Sequence, residues 1–475
     1  MYAASPRKSS SAPLPRRAFL KTTLAAGAAS LLAPKHLLGA AAASRQKVRL
    51  ACVGIGNRGR EVVLAMQATG LAKIVALCDT EMEAPHTQAV LKRFTDAPRF
   101  RDFRRMFDRM AGDIDAVCVC TPDFSHFPVT MLAMSLGKHV YVEKPMAHSF
   151  RQTELMMAAA RRHKVATQMG NQGHSSKNHF QFKAWTEAGI IKNVTRITAF
   201  MNSPRRWHGM KADGPLPAQP VPGSIDWDSW LSTTAPRDYN AGYTNGEWRS
   251  WFDFGNGALG DWGAHILDTA HRFLDLGLPT EITARLEGHN PFIFPQASTL
   301  GFKFPARGEK PPLDLTWYDG RQNIAPLPEN FGDAVVDPDI PPPTSGAIDT
   351  KRRPPGKVIY GEGLTFKGGS HAATLSILPS ERAKDIASRL PEVPECPSNH
   401  YANFLLACQG EEACRSPFDV AGPLCQTLDL GVIAQRVNAD LRFDPASRRI
   451  TNHAVADALL DGPPPRKEWE QFYKL

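Results

Sequence analysis

Val48-Arg49-Leu50-Ala51-Cys52-Val53-Gly54-Ile55-Gly56-Asn57-Arg58-Gly59 joins a mostly apolar run to a turn with three regularly placed glycines, and a helical stretch over residues 60–68 follows. Glycines alone say little; this context says more. Gly54 permits a tight turn, Gly56 lets the backbone approach a pyrophosphate, and Gly59 lets the helix pack on the strand. Asn57 and Arg58 sit at the helix start, where free N–H groups and the positive end of the helix dipole favour phosphate. Asp79 stands twenty residues after Gly59, at the end of a second apolar run over residues 74–78. A carboxylate there accepts hydrogen bonds from the adenosine ribose and repels a 2′-phosphate. NAD is therefore expected as cofactor, and Arg58 is the cation that leaves NADP open.

The same rhythm continues outward. Apolar runs at 116–120, 139–142 and 165–169 alternate with helical stretches such as 127–136. Short continuous apolar strands between helices argue for a parallel sheet covered on both faces. This predicts an α/β chain whose N-terminal Rossmann dinucleotide-binding domain spans 47–172. Beyond 172 the pattern changes. Strands are expected at 196–201, 282–287, 300–304, 313–318, 358–366 and 374–378, several without intervening helices, and helices at 259–274, 401–408 and 420–437. Residues 173–475 are thus read as an α+β domain with a largely antiparallel open sheet. Two long Pro- and Gly-rich loops, 207–223 and 325–356, interrupt it, and loops of that length are usually functional.

The net charge of +9 is concentrated at the N-terminus, where Arg7, Lys8, Arg16, Arg17, Lys21 and Lys35 precede any acid and leave +3 for the rest. No basic stripe interleaved with aromatics exists, so nucleic acid is not an expected partner. No run of eighteen apolar residues predicts a membrane span. Residues 1–43 follow the charged, apolar, small-residue order of a signal peptide. Arg16-Arg17-Ala18-Phe19-Leu20-Lys21 resembles a twin-arginine signal, with Pro15 in the usual Ser or Thr place. The resemblance implies export of a folded protein by the twin-arginine machinery, to the periplasm where a second membrane exists. The eight cysteines suit that route: Cys52, Cys78, Cys118 and Cys120 lie on strand-like runs as buried thiols, no C-x-x-C spacing occurs, and Cys408 with Cys414 leaves one disulfide open.

Thr121-Pro122-Asp123-Phe124-Ser125-His126 and Gly137-Lys138-His139-Val140-Tyr141-Val142-Glu143-Lys144-Pro145 complete the first half, and Gly255-Asn256-Gly257-Ala258-Leu259-Gly260-Asp261-Trp262-Gly263-Ala264-His265-Ile266-Leu267-Asp268 stands out in the second. With the glycine turn, these motifs resemble the Gfo/Idh/MocA oxidoreductases, which act mostly on sugars, inositols and related polyols. The resemblance implies cofactor contacts from Thr121, Pro122, His126, Glu143, Lys144 and Asn171. It implies that Lys144 lies beside nicotinamide and substrate hydroxyl, that Asp261 and His265 face it from the second domain with His265 as acid/base, and that the protein forms homo-dimers or homo-tetramers through the open sheet.

The residues make chemical sense without the family. Oxidising an alcohol needs a base for the hydroxyl proton, and histidine titrates near working pH. A lysine ammonium stabilises a developing alkoxide. On one continuous helix Asp261, His265 and Asp268 would share a face. No third-ligand spacing supports a metal there, and none is expected. Trp207, Trp248, Trp251, Tyr243 and Arg249 could pack on a sugar's apolar face and fix its hydroxyls, or could be ordinary core. Two enzymatic readings follow: an NAD-dependent dehydrogenase of a sugar or polyol hydroxyl, and a redox-neutral glycosidase or lyase working through a transient keto-sugar. The second answers the scarcity of free NAD outside the cytoplasm. The first is preferred because the glycosidase branch of the resembling family usually lacks the lysine that stands here as Lys144. A third reading is a non-enzymatic sugar-binding protein with a relic cofactor site, and the intact motifs argue against it.

Overall fold

A computed structural model describes residues 46–202, 210–332 and 354–474. The expected leader, Trp207 and most of the second Pro-rich loop lie outside them. The first sheet has six strands, β1 (Val48–Val53), β2 (Ala72–Cys78), β3 (Arg99–Phe100), β4 (Ala116–Val119), β5 (His139–Val142) and β6 (Thr167–Met169), in the order β3-β2-β1-β4-β5-β6. All pairings are parallel. The strand order reverses between β1 and β4, and in such sheets ligands bind at that switch point, beyond the carboxyl ends.

Register does the positioning. Cys78, Val53, Val119, Val142 and Met169 are successive Cα partners across the sheet. The residues that follow them, Asp79, Gly54, Cys120, Glu143 and Gly170, therefore emerge along one rim. The apolar strands are buried on both faces, as their continuous hydrophobic runs required. The two-residue strand β3 carries too little pattern to be seen in the sequence.

The second sheet has nine strands, β7 (Arg196–Met201), β8 (Glu281–Glu287), β9 (Ala297–Phe304), β10 (Leu313–Gly320), β11 (Gly356–Tyr360), β12 (Thr365–Gly369), β13 (Ser376–Leu378), β14 (Leu441–Asp444) and β15 (Arg449–Ile450). Their order is β13-β12-β11-β7-β10-β9-β8-β14-β15, antiparallel throughout except for β7 with β10. The expected strand 358–366 is two strands, because the turn around Gly361 and Gly363 folds β12 back on β11. The twenty-residue helix Phe418–Val437 packs between this sheet and the helix Phe150–His163, so one hydrophobic core links the two layers.

Two C-terminal segments return to the first layer. The helix His400–Cys408 places Phe404 and Leu405 in the core beneath the helix Arg58–Ala68. The turn Lys467–Tyr473 buries Trp469 against Phe103 and Phe472. The described residues from Val48 onward form one compact unit.

Candidate active site

The glycine turn has the geometry its sequence demands. Gly54 has φ +78°, and a Cβ there would lie 2.6 Å from the backbone of Cys120. A Cβ on Gly59 would overlap the carbonyl oxygen of Gly54. Asp79 is placed against this turn: one carboxylate oxygen accepts from the N–H of Ile55 at 2.9 Å, the other from Glu81 at 3.0 Å. His86 covers Gly56, where a Cβ would collide with its ring, and Glu81 stands 3.6 Å from that imidazole. His86 was missed in the sequence because it sits in a loop with no motif.

Arg58 corrects an expectation. Its guanidinium donates to Glu143 at 3.2 Å, Glu61 at 2.9 Å and the Tyr401 hydroxyl at 3.1 Å. It therefore points toward β5, whereas Asp79 ends β2 on the other side of β1. It does not stand beside Asp79 to receive a 2′-phosphate, which removes the one sequence argument for NADP. Asn57 adopts φ +44° at the start of the same helix.

On the rim at β4 and β5, His126 is held between two carbonyls, Thr121 and Pro145, each 2.8 Å from a ring nitrogen. Burial pushes its pKa down while both carbonyls push it back. His126 thus ties the Thr121-Pro122 turn to the Lys144-Pro145 segment and is placed to position them. The Glu143 carboxylate is buried, and its second oxygen has no protein partner.

Lys144 crosses to the second sheet's helices. Its ammonium donates to the carbonyl of Asp261 at 3.0 Å and to that residue's carboxylate. Asp261 and His265 lie one turn apart on the helix Gly257–Ile266. His265 is buried, with Nδ1 lacking a partner. Burial first, then neighbouring His371 and Lys144, hold its pKa well below the ordinary value, so the ring is neutral. The expected single helix over 259–274 is two, broken at Leu267, and Asp268 opens the second, Asp268–Phe273. Asp268 lies just beyond that break and is buried. One of its oxygens accepts from Thr269 N at 2.6 Å; the other lies 3.5 Å from Asn171 Nδ2 and 3.4 Å from His174 Nδ1. Arg272 donates to His174 Nε2 at 2.7 Å, so the ring proton sits on Nδ1 and faces Asp268. Burial raises Asp268 to about 7.

Of the aromatic candidates, Trp251 is core rather than sugar platform. It is 1% exposed, donates to Gly242 O at 3.3 Å and packs edge-on against Tyr243. With Phe124, Trp230, Trp248 and Phe254 it forms an aromatic cluster behind the Asp123 turn. Arg249 lies over Trp248 at 4.1 Å and acts electrostatically on Asp123.

Several site neighbours were given no role by the sequence reading, Asp123 of the Thr121–His126 motif among them. Asp123 is buried, accepts from Asn256 N at 3.2 Å and is raised to about 7 by burial, against the pull of Arg249 and Lys144. Lys357, on β11, is buried with its ammonium donating to Gly369 O at 3.2 Å; burial lowers it to about 8 against the pull of Asp268. His371, from the turn between β12 and β13, stacks on His265 with ring centroids 3.9 Å apart. Their contacts depend on long-range pairing that periodicity cannot show.

The residues fit a dinucleotide. The turn leaves no room for side chains where phosphates pass, and four residues singled out in the sequence carry a buried polar atom without a protein partner: Thr121 Oγ1, Glu143 Oε2, Asn171 Oδ1 and His265 Nδ1. Buried polar groups in native proteins are nearly always satisfied, and these four are available to a bound dinucleotide and its substrate.

A six-stranded parallel sheet in this order, with a glycine turn at its switch point, is an NAD-binding Rossmann domain, here followed by a mostly antiparallel second domain. Residues 48–171 match the oxidoreductase family described as an NAD-binding Rossmann fold, and residues 185–288 match the same family's C-terminal alpha/beta domain. The chain belongs to the Gfo/Idh/MocA oxidoreductase family. It is 30% identical over 155 residues to "Glycosyl hydrolase family 109 protein 2" of Shewanella sp. strain ANA-3, covering 28% of this chain and 34% of that one. The chain thus spans about a third of the length of such relatives. Among solved structures, the WlbA dehydrogenase of Bordetella pertussis, in complex with NADH and UDP-GlcNAcA, superposes with TM-score 0.54 at 16% identity over 84% of this chain and 99% of that one. The aldose-aldose oxidoreductase of Caulobacter crescentus, complexed with glycerol, gives 0.52 at 14% identity over 84% and 100%. Likeness at this identity is one of fold.

Proposed function

We propose that the protein oxidises a hydroxyl-bearing carbon of a sugar, polyol or glycoside with NAD held in the cleft between its two sheets. The observation that carries this reading is the meeting of Lys144 from the first layer with Asp261 and a neutral His265 from the second. Bound NAD supplies a two-electron acceptor for the hydride leaving the substrate carbon. His265, unprotonated in the resting site, accepts the hydroxyl proton. The Lys144 ammonium, fixed by Asp261, stabilises the developing alkoxide. Glu143 and Asn171 bind and orient cofactor and substrate through their unpartnered oxygens.

A second reading, redox-neutral cleavage of a glycoside, is favoured by a specific observation. The site holds two further protonable acids, Asp123 and Asp268, both raised to about 7, where hydride transfer alone needs one proton acceptor. The family 109 glycosidase relatives point the same way. The enzyme, purified with its own cofactor, is mixed with free sugars and aryl glycosides while reduced nicotinamide and released aglycone are both followed. One stoichiometric rise of reduced cofactor without aglycone supports a dehydrogenase awaiting a second substrate. Continuous aglycone release without net reduction supports the glycosidase. No response of either kind contradicts both.

The reading extends to location. Residues 1–43 direct export by the twin-arginine route, so the protein leaves folded with its cofactor inside. Replacing Arg16 and Arg17 with Lys is expected to hold the full chain in the cytoplasm on fractionation; unchanged export contradicts this.

A further inference from the structure

The oxidoreductase reading uses one imidazole, His265, and a second ring is stacked on it. We infer that His371 is a second proton-transfer group of this site, acting on the carbon next to the one that is oxidised. The inference rests on the proposed oxidation and deepens it.

His371 is brought to His265 by construction rather than by chance surface contact. It lies in the β12–β13 turn with φ +50°, a left-handed conformation uncommon for non-glycine residues. Its carbonyl accepts from Asn178 Nδ2 at 2.9 Å, and Gly173 packs so closely on that carbonyl that a Cβ there would overlap it. The ring lies 3.1 Å from the Ser370 hydroxyl through Nδ1, meets Trp262 edge-on at 5.5 Å, and stacks on His265 at 3.9 Å with 21° between planes. His265 is buried, whereas His371 is half-buried.

Two imidazoles face to face at this distance share one proton more readily than they carry two, because like charges so close repel. That suits enolisation of a ketone, which moves one proton at each of two neighbouring atoms. After oxidation His265 holds the former hydroxyl proton and the substrate carries a carbonyl, which acidifies the adjacent C–H. His371 takes that carbon-bound proton. The C–H electron pair becomes a C=C bond, the carbonyl π pair moves to oxygen, and His265 returns its proton there. The product is a neutral enol, and the pair holds one proton throughout. Reversal restores the ketone. Loss of a substituent from the next carbon, with its electron pair and a proton, turns the same step into elimination.

The test is a reaction in heavy water of enzyme carrying its own NAD with the sugars and glycosides above. Reduction of the bound cofactor reports oxidation, and deuterium at the carbon beside the oxidised one, in recovered sugar, reports enolisation. Wild type is expected to show both. H371N is expected to lose deuterium incorporation by about 100-fold more than it loses cofactor reduction, the range for a removed proton-transfer group. Equal loss of both signals in H371N would mean that His371 only positions His265, and overturns the inference. So does deuterium incorporation that survives in H371N, or wild type that reduces its cofactor without exchange. Wild type that never reduces its cofactor overturns the oxidation reading itself, and the inference with it.

Discussion

The two sheets build the cleft by different means. The parallel sheet contributes a rim: Asp79, Gly54, Cys120, Glu143 and Gly170 line up there because five strands share one register. Each is local to a strand end and readable from its own segment. The antiparallel sheet contributes side chains brought from far apart, Asp261 and His265 from a helix, Lys357 from β11 and His371 from a hairpin turn. The first layer is therefore a cradle set by backbone, and the second a set of buried titratable groups set by tertiary packing. A change in the first should act on cofactor retention, and a change in the second on proton transfer and its pH dependence.

The sharpest way to break that division is Gly59→Ala. Its Cβ has no space beside the Gly54 carbonyl, so strand and helix must separate where phosphates are bound. Purified G59A is expected to release no nicotinamide on denaturation, whereas wild type releases close to one per chain; full retention in G59A contradicts the cradle.

Lys144→Met tests the seam between the regions. Reduction of bound cofactor by sugar in a single turnover should fall about 100- to 1000-fold, the usual loss for one stabilising donor, while cofactor content is kept. Loss of cofactor as well would assign Lys144 to the cradle.

The smallest effect concerns Asp429, in the helix Phe418–Val437. One of its oxygens accepts from Asn256 Nδ2 at 3.0 Å, the other has no partner, and burial holds its pKa well above the ordinary value. The native state keeps this proton where the unfolded chain, titrating at about 4, has lost it. Stability from this group is fully present below about pH 4 and is lost as pH rises toward the folded value. Relative to wild type, D429N should gain stability between pH 4 and 7, by on the order of a few kcal/mol, read as Tm in a pH series. A difference that does not change with pH contradicts the raised value.

The same division explains what could be read from the sequence. Strand-turn-helix with Asp79 at its distance was legible because the fold, the turn and the ligand chemistry all lie within thirty-two residues. The break that puts Asp268 at the head of a second helix could not be seen, because a helical spacing continues on paper through Leu267. Trp251 stayed open between sugar platform and core, because composition cannot tell an exposed ring from one packed on Tyr243. Arg58 could not be aimed from sequence, since its partner Tyr401 lies 343 residues away. His371 has no motif at all; only the β11–β12–β13 pairing carries it to His265.

The most direct measurement is reduction of the enzyme's own bound cofactor on mixing with sugar substrate, wild type against His265→Asn. Wild type should show a stoichiometric rise in reduced-nicotinamide absorbance, and H265N, with its NAD content unchanged, a rise slower by about 100- to 10,000-fold. An equal rate in H265N, or no reduction in wild type by any sugar, polyol or glycoside, would contradict the account.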